Sequence, residues 1–158
     1  MNRILQIKSL ADDLIRRHGT ANPFELAAAM GVRVVSCPDF QNLEGMYKVI
    51  LGERFVFLKG DLKRRRAKQI LAHELGHDVL HREMGEDSIV QDSFLVDMTL
   101  KPEYEANLFA AQLLLPDGES LQLLKEGKSA RELAAIFKVE EALAELKIQI
   151  LTQEKEKT

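Results

Sequence analysis

One stretch limits this chain more than any other: LAHELGHDVLH, Leu71 to His81, which holds three of the four histidines in the sequence. His73 and His77 stand four residues apart, which on an α-helix stacks both imidazoles on one face about 6 Å apart, near enough to share a metal ion. Glu74 follows His73 directly, about 100° round the helix axis. The spacing is H-E-x-x-H, in which two neutral imidazoles take zinc and the glutamate accepts a proton from the attacking water. A fold that uses it must hold the segment as a helix and bring a third donor from elsewhere, so that one coordination position stays open.

The surrounding residues supply such a helix. From Asp61, read as its N-cap, the pattern predicts one helix through DLKRRRAKQILAHELGHDVLHRE to about Glu83. Leu71, Leu75 and Val79 form one ridge, while Ile70, His73, His77 and Leu80 lie on roughly the opposite side, so both faces are expected to be covered. Gly76 lies between the two histidines. A glycine there costs about 1 kcal/mol relative to alanine and marks close approach of another backbone.

His81 stands two turns beyond His73, about 12 Å along the axis, too far to share its metal, and is read as a supporting or helix-ending residue. Better donors lie in KPEYEANLFAAQLLLP, a second helix with Pro102 near its start and Pro116 at its end. Glu103 and Glu105 point roughly 200° apart, so only one faces the metal. Glu103 shares its face with Ala106, Asn107 and Ala110, small or polar residues that permit close approach and offer Asn107 as an outer partner. Glu105 shares its face with Phe109 and Gln112. The face argument favours Glu103 over Glu105 and leaves the other glutamate facing solvent.

The rest of the sequence frames these helices. With 158 residues the chain can bury a core without staples. The single cysteine, Cys37, excludes an intrachain disulfide and a Cys-rich structural zinc site, so a metal would be held by histidine and carboxylate. No apolar run approaches membrane-spanning length, and MNRILQIKSLADD lacks a signal-peptide core, so a cytoplasmic protein with no membrane partner is expected. A net charge of −3 argues against a general nucleic-acid binder.

Ile4, Ile7, Leu10, Ala11, Leu14 and Ile15 mark a first helix ending at His18-Gly19, and TANPFELAAAMG a second, with Asn22 as N-cap and Gly31 as stop. VRVVS, GMYKVIL and RFVFL read as strands, the last two as a hairpin. Gly85 to Thr99 reads as an irregular loop over a cleft. The KRRR run at Lys63 to Arg66 reads by default as a solvated face, with contact to an acidic substrate segment or to nucleic acid as the alternative. SARELAAIFKVEEALAELKIQIL has the cadence of a helix-turn-helix with Ser129 as N-cap, but Glu140, Glu141 and Glu145 on its second helix would repel phosphate, which favours a packing module or a docking surface.

The predicted fold is α+β: a mainly helical single domain over 1–158, with a small three-stranded sheet packed beside a central HExxH helix (zincin-like). Residues 1–60 would form the N-terminal helices and sheet, 61–116 the zinc-site helices, 117–152 short C-terminal helices, and 153–158 a disordered tail.

HELGHDVLH followed by EYEANLFAAQLLLP resembles the ImmA/IrrE family of zinc metallopeptidases, whose pattern is HELGHxxLH and then E-x-x-A-N/D-x-F-A-A-x-L-L-x-P. NPFELAAAMGV and the glycine before a strand at Gly45 extend the match more loosely towards the N-terminus. The resemblance implies one Zn2+ per chain bound by His73, His77 and Glu103, with Glu74 as general base. It also implies a cytoplasmic regulator of mobile elements or stress responses that cleaves a helix-turn-helix repressor and relieves repression. Lys59-Gly60, after the third strand, departs from relatives that carry asparagine there. Two rival readings remain: a non-proteolytic, zinc-containing binding partner of a repressor, and a DNA-binding regulator using the C-terminal helices. Tyr47, Tyr104 and His81 are the polar candidates for stabilising an oxyanion.

Overall fold

Side-chain caps start the first two helices of the computed structural model, which describes residues 2–87, 90–92 and 100–157. α1 (Arg3–His18) begins where the Asn2 side chain accepts from the Leu5 amide, and α2 (Pro23–Met30) where Asn22 accepts from the Phe24 amide. Gly19 and Gly31 end them, so Asn22, Pro23 and Gly31 occupy the positions that their chemistry favours.

The three expected strands follow: β1 (Arg33–Cys37), β2 (Gly45–Ile50) and β3 (Glu53–Lys59). β2 and β3 form the antiparallel hairpin, β1 runs parallel to β3, and a short β4 (Val90–Asp92) extends the sheet to the order β1-β3-β2-β4. Tyr47 pairs with Val56 and Val49 with Arg54, which places all four on one face. Tyr47, Val49, Val56 and Leu58 on that face are buried.

α3 (Arg64–Leu80) packs against the sheet and against α5 (Lys101–Leu114). Every residue from Gln69 to Asp78 is buried. A helix covered all round matches the two-ridge pattern of its sequence. Its ends differ from the expectation. Lys63, not Asp61, occupies the N-cap position, because the Asp61 carboxylate lies in the turn after β3, 3.6 Å from Lys59. At the other end His81 leaves helical geometry, and a separate α4 (Arg82–Asp87) follows.

The stretch expected to be irregular from Gly85 is therefore helical as far as Asp87, and it contributes β4 further on. Gly85 is buried where a Cβ would meet the Tyr47 ring at 2.5 Å. The remainder of the expected loop, 88–89 and 93–99, lies outside the described residues.

α6 (Asp117–Lys125), α7 (Ala130–Phe137) and α8 (Glu141–Lys157) follow. Ser129 and Glu132 form a capping box on α7, the arrangement expected of Ser129 as N-cap. α8 is not a short helix: its 17 residues continue through Lys157, so the tail expected to be disordered over 153–158 is helical to that point. Leu143, Leu146 and Ile150 join the core, and Gln153 accepts a hydrogen bond from Asn2, which ties this end to α1. No helix among the described residues is long and apolar enough to cross a membrane.

Candidate metal centre

Helical spacing sets the first two donors. The His73 and His77 rings lie 4.8 Å apart, nearly perpendicular. Glu103, in the first turn of α5, brings Oε2 to 3.0 Å from His73 Nε2 and 3.2 Å from His77 Nε2. Among the described residues these three offer donor atoms within 4.8 Å of one another. Ligand atoms at ordinary zinc distances on a tetrahedral ion are about 3.3 Å apart, so two imidazoles and one carboxylate at this spacing fit such an ion.

Two glycines make the arrangement possible. A Cβ on Gly76 would lie 2.9 Å from Ala106 Cα and 3.0 Å from its carbonyl oxygen. The backbones of α3 and α5 thus meet there, as the sequence position of Gly76 suggested, and Glu103 is drawn within reach of both histidines. A Cβ on Gly45 would lie 2.5 Å from Ile70 Cγ2 and 3.1 Å from Glu74 Oε1. β2 can pass beside the buried Glu74 only because that position has no side chain.

Both imidazoles are backed by partners on their other nitrogen. His73 Nδ1 lies 2.8 Å from Asn107 Oδ1. The amide oxygen only accepts, so Nδ1 donates and the Nε2 lone pair faces Glu103. His77 Nδ1 lies 3.1 Å from His81 Nδ1, and His81 Nε2 lies 2.9 Å from Glu105 Oε1. Arg3 completes this chain from the start of α1 through two bonds to Glu105, of 2.5 and 3.1 Å.

The proton order along this chain follows from its far end. The hydrogen bond from Arg3 overcomes burial and, with His81, holds the Glu105 pKa down to about 2. Burial lowers the His81 pKa, which favours its neutral form. An ionised Glu105 must accept from His81 Nε2–H. His81 Nδ1 then accepts from His77 Nδ1–H, and the His77 Nε2 lone pair is left towards Glu103.

This overturns one expectation. Glu105 does not face solvent: it is 3% exposed, because α1 packs on that side of α5. Phe109, one turn further on the same face, is fully buried, and that apolar neighbour was the available sequence signal.

Asp78 was not singled out by the motif, yet it fixes the other side of α3. Its carboxylate accepts from Tyr47 Oη at 2.6 Å and from Arg54 Nη1 at 2.8 Å, and Arg54 also donates to the Met30 carbonyl. A carboxylate on a helix covered all round requires a cation, and Arg54 reaches it from the inner face of the sheet. Of the three polar candidates for an oxyanion partner, Tyr47 and His81 are held in these contacts, and Tyr104 packs half-buried against the core. The KRRR run is also divided. Arg66 pairs with Glu44 and Glu140, while Lys63 and Arg65 are exposed.

A central helix with a histidine pair, crossed by a second helix that presents a carboxylate and flanked by a small mixed sheet, defines a zincin-like α+β domain. Residues 27–149 match the IrrE N-terminal-like domain of the Peptidase M78 family. The chain belongs to this ImmA/IrrE family. It is 31% identical over 142 residues to the uncharacterized immunity region protein 2 of Bacillus phage phi105, covering 89% of this chain and 88% of that protein. It is 26% identical over 147 residues to the metallopeptidase ImmA of Bacillus subtilis (strain 168), covering 90% of this chain and 83% of that one.

Proposed function

We propose that the chain is a cytoplasmic, zinc-dependent endopeptidase that cuts a specific helix-turn-helix repressor and so relieves repression of a mobile element or a stress response. The observation that carries the reading is the convergence of His73, His77 and Glu103 beside a buried Glu74. The metallopeptidase named among the relatives supports the chemistry, and the phage immunity-region protein supports the setting.

His73 Nε2, His77 Nε2 and the Glu103 carboxylate would hold one zinc. A zinc ion bound there supplies Lewis acidity towards water and a peptide carbonyl. Glu74, one residue from a ligand but pointing elsewhere on α3, takes the proton of the attacking water on its carboxylate and returns it to the leaving amine. Asn107 and the His81–Glu105 pair keep both ligand imidazoles in the tautomer that offers Nε2.

Glu74→Gln tests this reading. The variant should fold and keep its metal, while cleavage of a cognate repressor, followed by gel electrophoresis and mass spectrometry, falls by at least about 100-fold. If wild-type protein relieved repression without a cut chain and Glu74→Gln did so equally well, the proteolytic reading would give way to that of a zinc-containing binding partner.

A further inference from the structure

A groove of about 660 Å³ opens beside the first turn of α3, away from the metal donors in sequence and in lining. Leu113 and Leu114 at the end of α5, with Phe137 and Val139 at the α7–α8 turn, give it apolar walls. Lys63, Arg64, Arg65, Lys68 and Lys138 also line it, and among the described residues no acidic one does. That is a local reversal of charge in a chain whose net charge is −3.

The cations differ in how they are held. Arg64 lies over the Phe24 ring at 4.4 Å. Lys63, Arg65, Lys68 and Lys138 make no ion pair among the described residues, whereas neighbouring Arg66 is paired twice. Lys138 adds an independent sign. It caps α7 at φ 58° and ψ 46°, the left-handed position usually given to glycine and strained for a lysine. Its side chain lines both this groove and an adjoining one of about 520 Å³.

We infer that this groove binds an acidic, leucine-rich segment of a protein partner, its carboxylates meeting the four unpaired cations and its aliphatic side chains the apolar walls. Nucleic acid fits less well. A phosphate backbone has nothing to place against leucine, phenylalanine and valine, and Glu140 and Glu141 stand at the adjacent start of α8. Identifying the partner as the substrate rests on the peptidase reading above. On that reading the groove is a docking site about 12 Å along α3 from His73, measured from Arg65, and it raises the local concentration of substrate chain at the metal site.

The test uses a fluorescein-labelled peptide repeating Glu-Glu-Leu-Leu, a Lys-Lys-Leu-Leu control and a labelled DNA duplex, each titrated against the full chain by fluorescence anisotropy. The acidic peptide should bind saturably and more weakly as salt rises, and the basic one should not bind. Binding should fall about tenfold in Arg65→Glu/Lys138→Glu, which reverses two exposed charges. Lys63→Glu/Arg65→Glu provides the same test without altering the strained position. Failure of the acidic peptide to bind, equal binding by both charge-reversed proteins, or preference for the duplex would overturn the groove assignment. Glu74→Gln should bind the peptide as tightly as wild type. If binding were intact but no repressor were cut, the peptidase reading alone would fail.

Discussion

At the scale of single residues, the proposed metal centre depends on groups that would touch no metal. His77 presents Nε2 only while His81 accepts from its Nδ1, and His81 accepts there only while it donates to Glu105. His81→Ala and Glu105→Gln should each weaken zinc affinity by about 10-fold to 100-fold, read by competition with a chromophoric chelator. Unchanged affinity in both would leave the chain of imidazoles without a positioning role. The shared face of His73 and His77, and that of Glu103 and Asn107, were legible in the sequence because helical spacing sets directions within each helix. The partner of Glu105 was not, since Arg3 lies 102 residues away and reaches it only once α1 has docked.

At the scale of elements, the crossing of α3 and α5 sets two magnitudes against each other. Helix propensity favours alanine over glycine at Gly76 by about 1 kcal/mol. The added methyl would lie within 3.0 Å of two Ala106 backbone atoms, and overpacking of this kind costs about 1–3 kcal/mol. Gly76→Ala should therefore lower the urea midpoint and also weaken metal binding, because α5 carries Glu103 away from the histidines. A rise in midpoint would show that the two helices can part freely. Helix boundaries were legible where a cap is local, as at Asn22 and Gly31. They were missed where a distant partner decides, as at His81, whose ring is held by Glu105, and at the end of α8, held through Asn2.

At the scale of the whole molecule, four helices are joined through one polar cluster that the sequence pattern did not reveal. Asp117, the first residue of α6, accepts from Lys147 of α8, from Gln112 of α5 at 3.0 Å and from Lys8 of α1 at 3.1 Å. Lys147 is fully buried, so removing its carboxylate partner leaves a charge that burial penalises. Partial burial acts to raise the Asp117 pKa, but the hydrogen bond and charge of Lys147, with help from Gln112 and Lys8, hold it down to about 2, against an ordinary value of 3.8. Because the folded value is the lower one, the carboxylate stabilises the fold above the ordinary value, and this contribution fades as pH falls towards 2. The Asp117 side chain is 42% exposed, which reduces the effect relative to a fully buried pair. Asp117→Asn should therefore cost about 2 kcal/mol at neutral pH. The gap between variant and wild type should narrow through the acid range and close near pH 2, as followed by urea denaturation at successive pH values. A gap independent of pH would mean that the lost side chain acts through packing and not through its charge, and the cluster would then hold the four helices by shape alone.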